Sequence, residues 1–138
     1  LDEGDFAVTW VSEYSSSEKN VFVRVFDSSG NPASEEIKLN ELPIRQDPEI
    51  SSAALFGGGV AIVWTDSDSS SSGVFGKIVY PTGNTSVFAV NEVINGVQSK
   101  PFVSTLSDGT IVVVWQSDGI DSAGFGIAAR VLGQRACL

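Results

Sequence analysis

A stretch of about ten residues ending in tryptophan occurs three times in this chain, and any fold has to place all three copies in the same way. The copies run from Leu1 to Trp10, from Leu55 to Trp64 and from Leu106 to Trp115. Each has a leucine nine residues before its tryptophan and a glycine, Gly4, Gly58 or Gly109, six residues before it. The tryptophans lie 54 and 51 residues apart, and Gly30 with Gly83, Asn40 with Asn91, and Pro48 with Pro101 repeat at 51 to 53 residues. A period of about 50 residues is the range of propeller blades, solenoids and arrays. The units implied are residues 1–47, 48–100 and 101–132, about two and a half repeats, with a divergent tail at 133–138.

Within a unit the signal is that of strands. From Asp5 to Val11, Phe6, Val8 and Trp10 alternate with Ala7 and Thr9. In the later copies Val60, Ile62 and Trp64 alternate with Ala61 and Val63, and Ile111, Val113 and Trp115 with Val112 and Val114. Alternation with period two marks a strand, and apolar residues on both faces mark one that is covered on both sides. Polar stretches rich in Ser, Asp and Gly follow at Val11 to Lys19, Thr65 to Ser72 and Gln116 to Ala123, and their composition predicts loops. A second strand is expected at Asn20 to Phe26, Gly73 to Tyr80 and Gly124 to Leu132. Arg24, Lys77 and Arg130 recur in it, as though one face reached solvent or a paired carboxylate. Glycine turns at Gly30 and Gly83 lead to a short third strand, Glu36 to Asn40 and Val87 to Asn91, with the charge of an edge. A fourth, Glu49 to Leu55 and Phe102 to Leu106, is small and Ser-rich, which suits the crowded end of a tapered assembly. No helical periodicity appears. The expectation is an all-β chain of about ten strands in tandem four-stranded antiparallel units, propeller-like blades. A flat array of small sheets or a β-sandwich is the alternative.

This pattern resembles the long tandem repeats of large secreted or cell-surface proteins. Those read in outline Pro-x-Val-x-x-Leu-x-x-Gly-x-x-Val-Val-x-Trp-x-Ser, followed by an Asp/Gly/Ser loop, Gly-Ile, a glycine turn and Val-Asn. Residues Pro101 to Ser117 match that outline, and Gly126-Ile127 and Ala89 to Asn91 fit it further on. The resemblance implies a propeller-like repeat region of an extracellular protein, and it implies no common activity.

Charge and composition narrow the partners. With 17 acidic and 8 basic residues among 138, the net charge is -9, which argues against a nucleic-acid backbone or an anionic membrane surface. No apolar run has the length of a membrane span. The chain has no methionine, so Leu1 is not a translation start, and the expectation is a fragment or processed piece of a longer repeat protein. The single Cys137 pairs with nothing internal and says nothing of redox compartment.

Asp66 with Asp68, and Asp118 with Asp121, are the most chemical-looking residues, because carboxylates on a turn are what Ca²⁺ takes. The remaining acidic positions and glycine of an EF-hand loop are missing, so an ordinary solvated turn is the stronger reading. Residues 106–109 faintly resemble the Asp-box turn of sialidase-type propellers, but the tryptophan is too distant and the other copies lack the Ser-Asp pair, so a structural hairpin outweighs it. Trp10, Trp64 and Trp115 could stack on sugar rings, yet their alternation with Val and Ile favours equivalent core positions. With no histidine in the chain the commonest general base is missing, and no acidic pair recurs in a buried setting. The leading expectation is therefore a non-catalytic structural or adhesion module that packs against other repeats or against itself. A carbohydrate- or calcium-binding module at the cell surface is second, and an enzyme trails far behind.

Overall fold

In the computed structural model of the chain, the structure describes residues 4–15, 17–55, 58–67, 72–80, 83–84, 87–91, 96–121 and 124–133, with side chains for all of these but 83–84 and 119–121. They form eleven strands and no helix. In chain order these are β1 (Phe6–Ser15), β2 (Glu18–Phe26), β3 (Ile37–Lys38), β4 (Ile50–Leu55), β5 (Gly59–Ser67), β6 (Ser72–Tyr80), β7 (Gly83–Asn84), β8 (Phe88–Ala89), β9 (Gln98–Thr105), β10 (Ile111–Asp121) and β11 (Gly124–Leu132).

The strands make three open antiparallel sheets. The first has the order β1-β2-β3, the middle β4-β5-β6 followed by β7 and β8 on the far edge of β6, and the last β11-β10-β9. Sequential hairpins explain the pattern. Gly58 and Gly109 sit at φ of 89° and 87° in tight turns closed by N–H donation to Leu55 and Leu106, a left-handed geometry that glycine adopts at no steric cost. Gly4, at the corresponding place before β1, has φ 85°.

Two cores separate the three sheets. Val21, Val23, Leu39 and Ile44 of the first sheet and the segments beside it pack on Val60, Ile62, Trp64 and Val79 of the middle sheet. From the other face of the middle sheet, Leu55, Ala61, Val63, Val74 and Ile78, with Val90 beside β8, pack on Val103, Ile111, Val113, Trp115 and Leu132 of the last sheet. The near-continuous apolar run of β5 is thus buried on both sides. Neighbouring edge strands tighten the second joint: Val103 N–H donates to Ser51 Oγ at 3.2 Å, and Thr105 Oγ1 donates to the Ala54 carbonyl at 3.1 Å. The small side chains of β4 let β9 come that close.

Several expectations change. The stretches read as polar loops after each tryptophan are largely strand, since β1 runs to Ser15, β5 to Ser67 and β10 to Asp121. Pairing within a hairpin satisfies the backbone whatever the side chains are, so polar residues do not stop a strand, whether they face water as Ser12 to Ser15 do or are buried as Thr65 and Ser117 are. The third strand of a unit has only two residues, and β9 begins at Gln98 rather than Phe102. Arg24 and Arg130 bond to carbonyl oxygens rather than to carboxylates: Arg24 Nε to Ser34 at 3.0 Å, and Arg130 Nη1 to Ala89 and Val90 at 2.9 and 3.2 Å. Of the tail, only Gly133 lies within the described residues.

Candidate functional site

The three tryptophans answer the question of what is open and what is closed. Alternation along β5 puts Trp64 on the side facing the first sheet, and the same alternation along β10 puts Trp115 on the side facing the middle sheet. Both are buried, at 1% and 6% exposure. Trp10 also points back along the stack, but there it meets no described sheet. It is only partly buried, stacked on Phe22 with ring centroids 5.7 Å apart and planes 16° from parallel. The expectation of three equivalent, mostly buried positions holds for direction, while Trp10 is less buried than the other two because no described element covers that face.

Around Trp10 lies an apolar surface. Phe6 stacks on Phe26 at 5.4 Å, Val8 stands opposite Arg24 in the register, and Arg24 lies over the Phe26 ring at 5.9 Å. Phe6 and Val8 are 44% and 42% exposed. The far end of the stack has its own open face. Phe102, Val112, Val114, Phe125, Ile127 and Val131 share the side of the last sheet that points away from the middle one, and Ile127 is 78% exposed. Both end faces thus carry exposed apolar side chains, with Arg24 among them on the first sheet and Asp118 on the last.

The expected carboxylate sites are less developed. Asp66 follows Trp64 by two residues and so lies on the side facing the first sheet. Asp118 follows Trp115 by three and lies on the open side of the last sheet. The two therefore point in opposite directions, with the joint between the middle and last sheets separating them, and stacked sheets are about 10 Å apart. No one ion at carboxylate bonding distance reaches both. Asp68 lies outside the described residues, and for Asp121 only the backbone, at the end of β10, is described. Among the described residues no group of three or more acidic, His or Cys side chains is arranged to hold a metal. Burial pushes the Asp66 carboxyl up from its ordinary value, opposed by the Ser67 N–H that donates to it at 2.7 Å. In the turn before β10, Asp108 accepts from the Thr110 N–H at 2.9 Å, and the Thr110 side chain first and its backbone second hold that carboxyl below its usual range. Asp108 is thus committed to shaping its own hairpin.

Other polar residues matter more than the sequence reading allowed. Asn40 and Asn91, read only as markers of the period, are buried and bonded to strand backbone. Gln98 is fully buried between the middle and last sheets, accepting from Asn91 Nδ2 at 3.3 Å and donating to Ser117 Oγ at 3.2 Å. Only the repeat interval of the asparagines could have signalled this; nothing marks Gln98. At the same joint, the Lys100 N–H donates to Glu49 Oε1 at 2.9 Å, with Lys100 held at φ 52°.

Compared with known proteins, the chain matches no family model and no curated relative.

Proposed function

We propose that this chain is a non-catalytic structural or adhesion module built of repeats, its sheets being successive blades of a propeller-like region in a larger extracellular protein. The observation that carries the reading is that the middle sheet buries both faces in two separate cores, with Trp64 and Trp115 facing the same way. A sandwich uses two sheets to enclose one core and leaves the outer faces to water. A series of sheets repeating one joint is what blades do, and their edge strands β4 and β9 approach one another at one side of the stack. The extracellular setting rests on the resemblance of the repeat. Scattering by a chain lengthened with duplicated units to six or so sheets tests the architecture: a compact disc is expected, and an extended rod would favour the flat array.

A second reading is favoured by one feature, the Trp10 and Phe22 rings on an open face, since such a platform suits a sugar ring. A glycan-array screen with and without calcium separates the two. The module reading expects no glycan bound in either condition, and calcium-dependent capture of a defined glycan would replace it with the carbohydrate- or calcium-binding alternative.

A further inference from the structure

The outer edges of the first and middle sheets carry different protection. In the first, residues 27–40 pass from the end of β2 through the turn at Gly30 to β3, and Pro32, Glu35, Glu36 and Lys38 are exposed along the way. Proline and charge on an edge keep its unpaired N–H and C=O groups from pairing with another chain. The corresponding stretch of the middle sheet, residues 80–91, contains β7 and β8 and has no Asp, Glu, Lys or Arg. Both short strands lie on the side of β6 away from β5, and no described strand pairs with them from outside. At the β8 end Arg130 of the last sheet reaches the Ala89 and Val90 carbonyls. At the β7 end stands Asn84, paired with Val79.

Asn84 is followed at the second residue by Ser86, with Thr85 rather than proline between them, which is the acceptor sequence for N-linked glycosylation. Asn20, Asn31, Asn40, Asn91 and Asn95 have Phe, Ala, Leu, Val and Val at that second place, so the acceptor sequence occurs only in the edge stretch that has no charge. Thr85 and Ser86 lie outside the described residues, and it is the backbone of Asn84 that puts the acceptor on the edge. Asn31 follows Gly30 as Asn84 follows Gly83, and Asn31 is exposed, so this place in a repeat reaches water. The edge lies across the sheet from β4, the strand that β9 approaches, so a bulky group here leaves the joints between sheets free to form.

We propose that Asn84 carries an N-linked glycan that shields the outer edge of the middle sheet. The inference rests on the extracellular reading, because the transfer takes place on the secretory route. Asn84 Nδ2 bonds to C1 of an oligosaccharide carried on a polyprenyl diphosphate. The C1–O bond to the diphosphate breaks, the diphosphate leaves with that electron pair, and one Nδ2 proton passes to a base of the transferase, which recognises the Ser86 hydroxyl. A hydrated glycan then stands where the first repeat has Glu35, Glu36 and Lys38, and it does by bulk and solvation what they do by charge.

The experiment compares the protein isolated from its own cells with the chain exported by a eukaryotic host behind a secretory leader. In both, mass spectrometry should find a glycan on the peptide containing Asn84, and peptide N-glycosidase should remove it and leave an aspartate at that position. In the exported chain, Asn84→Gln and, independently, Ser86→Ala should each lose the added mass, while Ser86→Thr should keep it. An exported chain with Asn84 unmodified overturns the proposal and leaves the extracellular reading standing, as does a native protein found unmodified at the cell surface or in the medium. A native protein found unmodified inside the cell, with Asn84 modified in the exported chain, overturns both. Shielding is read separately, by the growth of light scattering with time. Chain deglycosylated by the enzyme and the Asn84→Gln chain should associate faster than the glycosylated chain. Asn84→Lys, which puts back an edge charge of the kind the first repeat uses, should associate more slowly than Asn84→Gln. Equal rates for all these forms overturn the shielding.

Discussion

The backbone N–H of Val74 donates to Asn91 Oδ1 at 2.8 Å, while the Val74 carbonyl accepts from the Val90 N–H at 2.7 Å. A side chain here takes the place of a neighbouring strand's carbonyl, at the point where the short outer strand ends. Val21 stands in the same relation to Asn40, at 2.8 Å, and to the Leu39 N–H, at 2.9 Å. Asn40 Nδ2 goes on to donate to Asn20 Oδ1 and to the Leu42 carbonyl, so both ends of its amide are used. The outer strands β3 and β8 can be two residues long because this amide continues the ladder past them.

Asn40→Ala and Asn91→Ala should therefore each destabilise the chain, by about 1–3 kcal/mol, since each leaves a buried strand N–H without its acceptor. The midpoint of urea unfolding reads this. A change within error at either position would mean that water replaces the amide and that the asparagines only mark the period.

The tryptophans should separate by burial. Trp64→Ala opens a cavity between the first and middle sheets and should cost about 3–5 kcal/mol. Trp10→Ala removes a ring that is open on one side and should cost at most about half as much in the monomer. Equal losses at the two sites, measured under conditions where the chain is monomeric, would show that Trp10 is covered after all.

Lys100 adopts a left-handed φ of 52°, which a side chain with a Cβ disfavours. Lys100→Gly should stabilise the chain by about 0.5–1 kcal/mol in thermal or urea unfolding, provided that the N–H bond to Glu49 Oε1 is kept. Destabilisation would mean that contacts of the lysine side chain outweigh the backbone strain.

Asp66 gives a prediction in pH. Burial raises its folded-state carboxyl above the unfolded value, so the folded state holds that proton more tightly. Ionising Asp66 therefore opposes folding. The penalty is absent below the unfolded carboxylate range near pH 4, and it builds as pH rises through the folded value. Asp66→Asn, whose amide oxygen can still accept from Ser67, should be more stable than the parent at pH 7 and lose that advantage as pH falls toward 4. An asparagine variant less stable at pH 7, with the deficit growing when calcium is added to the parent, would instead mark Asp66 as an ion ligand.

Much of the strand pattern could be read in the sequence. Strands expected at Asn20 to Phe26, Gly73 to Tyr80 and Gly124 to Leu132 begin within two residues of those bounds, because the period-two alternation and the Ser-rich or Gly-containing stretch before each mark where they start. The far ends of the tryptophan strands could not be read: Ser12 to Ser15 carries turn-forming chemistry, yet it lies in a hairpin arm whose side chains face water. In β5 and β10 both faces are apolar, so composition could not say which side looks toward which sheet. Parity could have separated the carboxylates, since Asp66 lies an even number of residues from its tryptophan and Asp118 an odd number. Gln98 carried no signal, because a glutamine buried by two sheets looks like any other glutamine until both sheets are in place.

Trp64 and Trp115 each turn toward the sheet that precedes them, and Trp10 turns the same way. The stack thus has a front and a back, like a pile of cups, and each sheet offers its neighbour the same kind of socket. Removing or duplicating one interior unit would bring together a front and a back of kinds that already meet. Gene duplication can then change the number of units without inventing a new contact, and the length of such a protein can drift while the join between its parts stays the same.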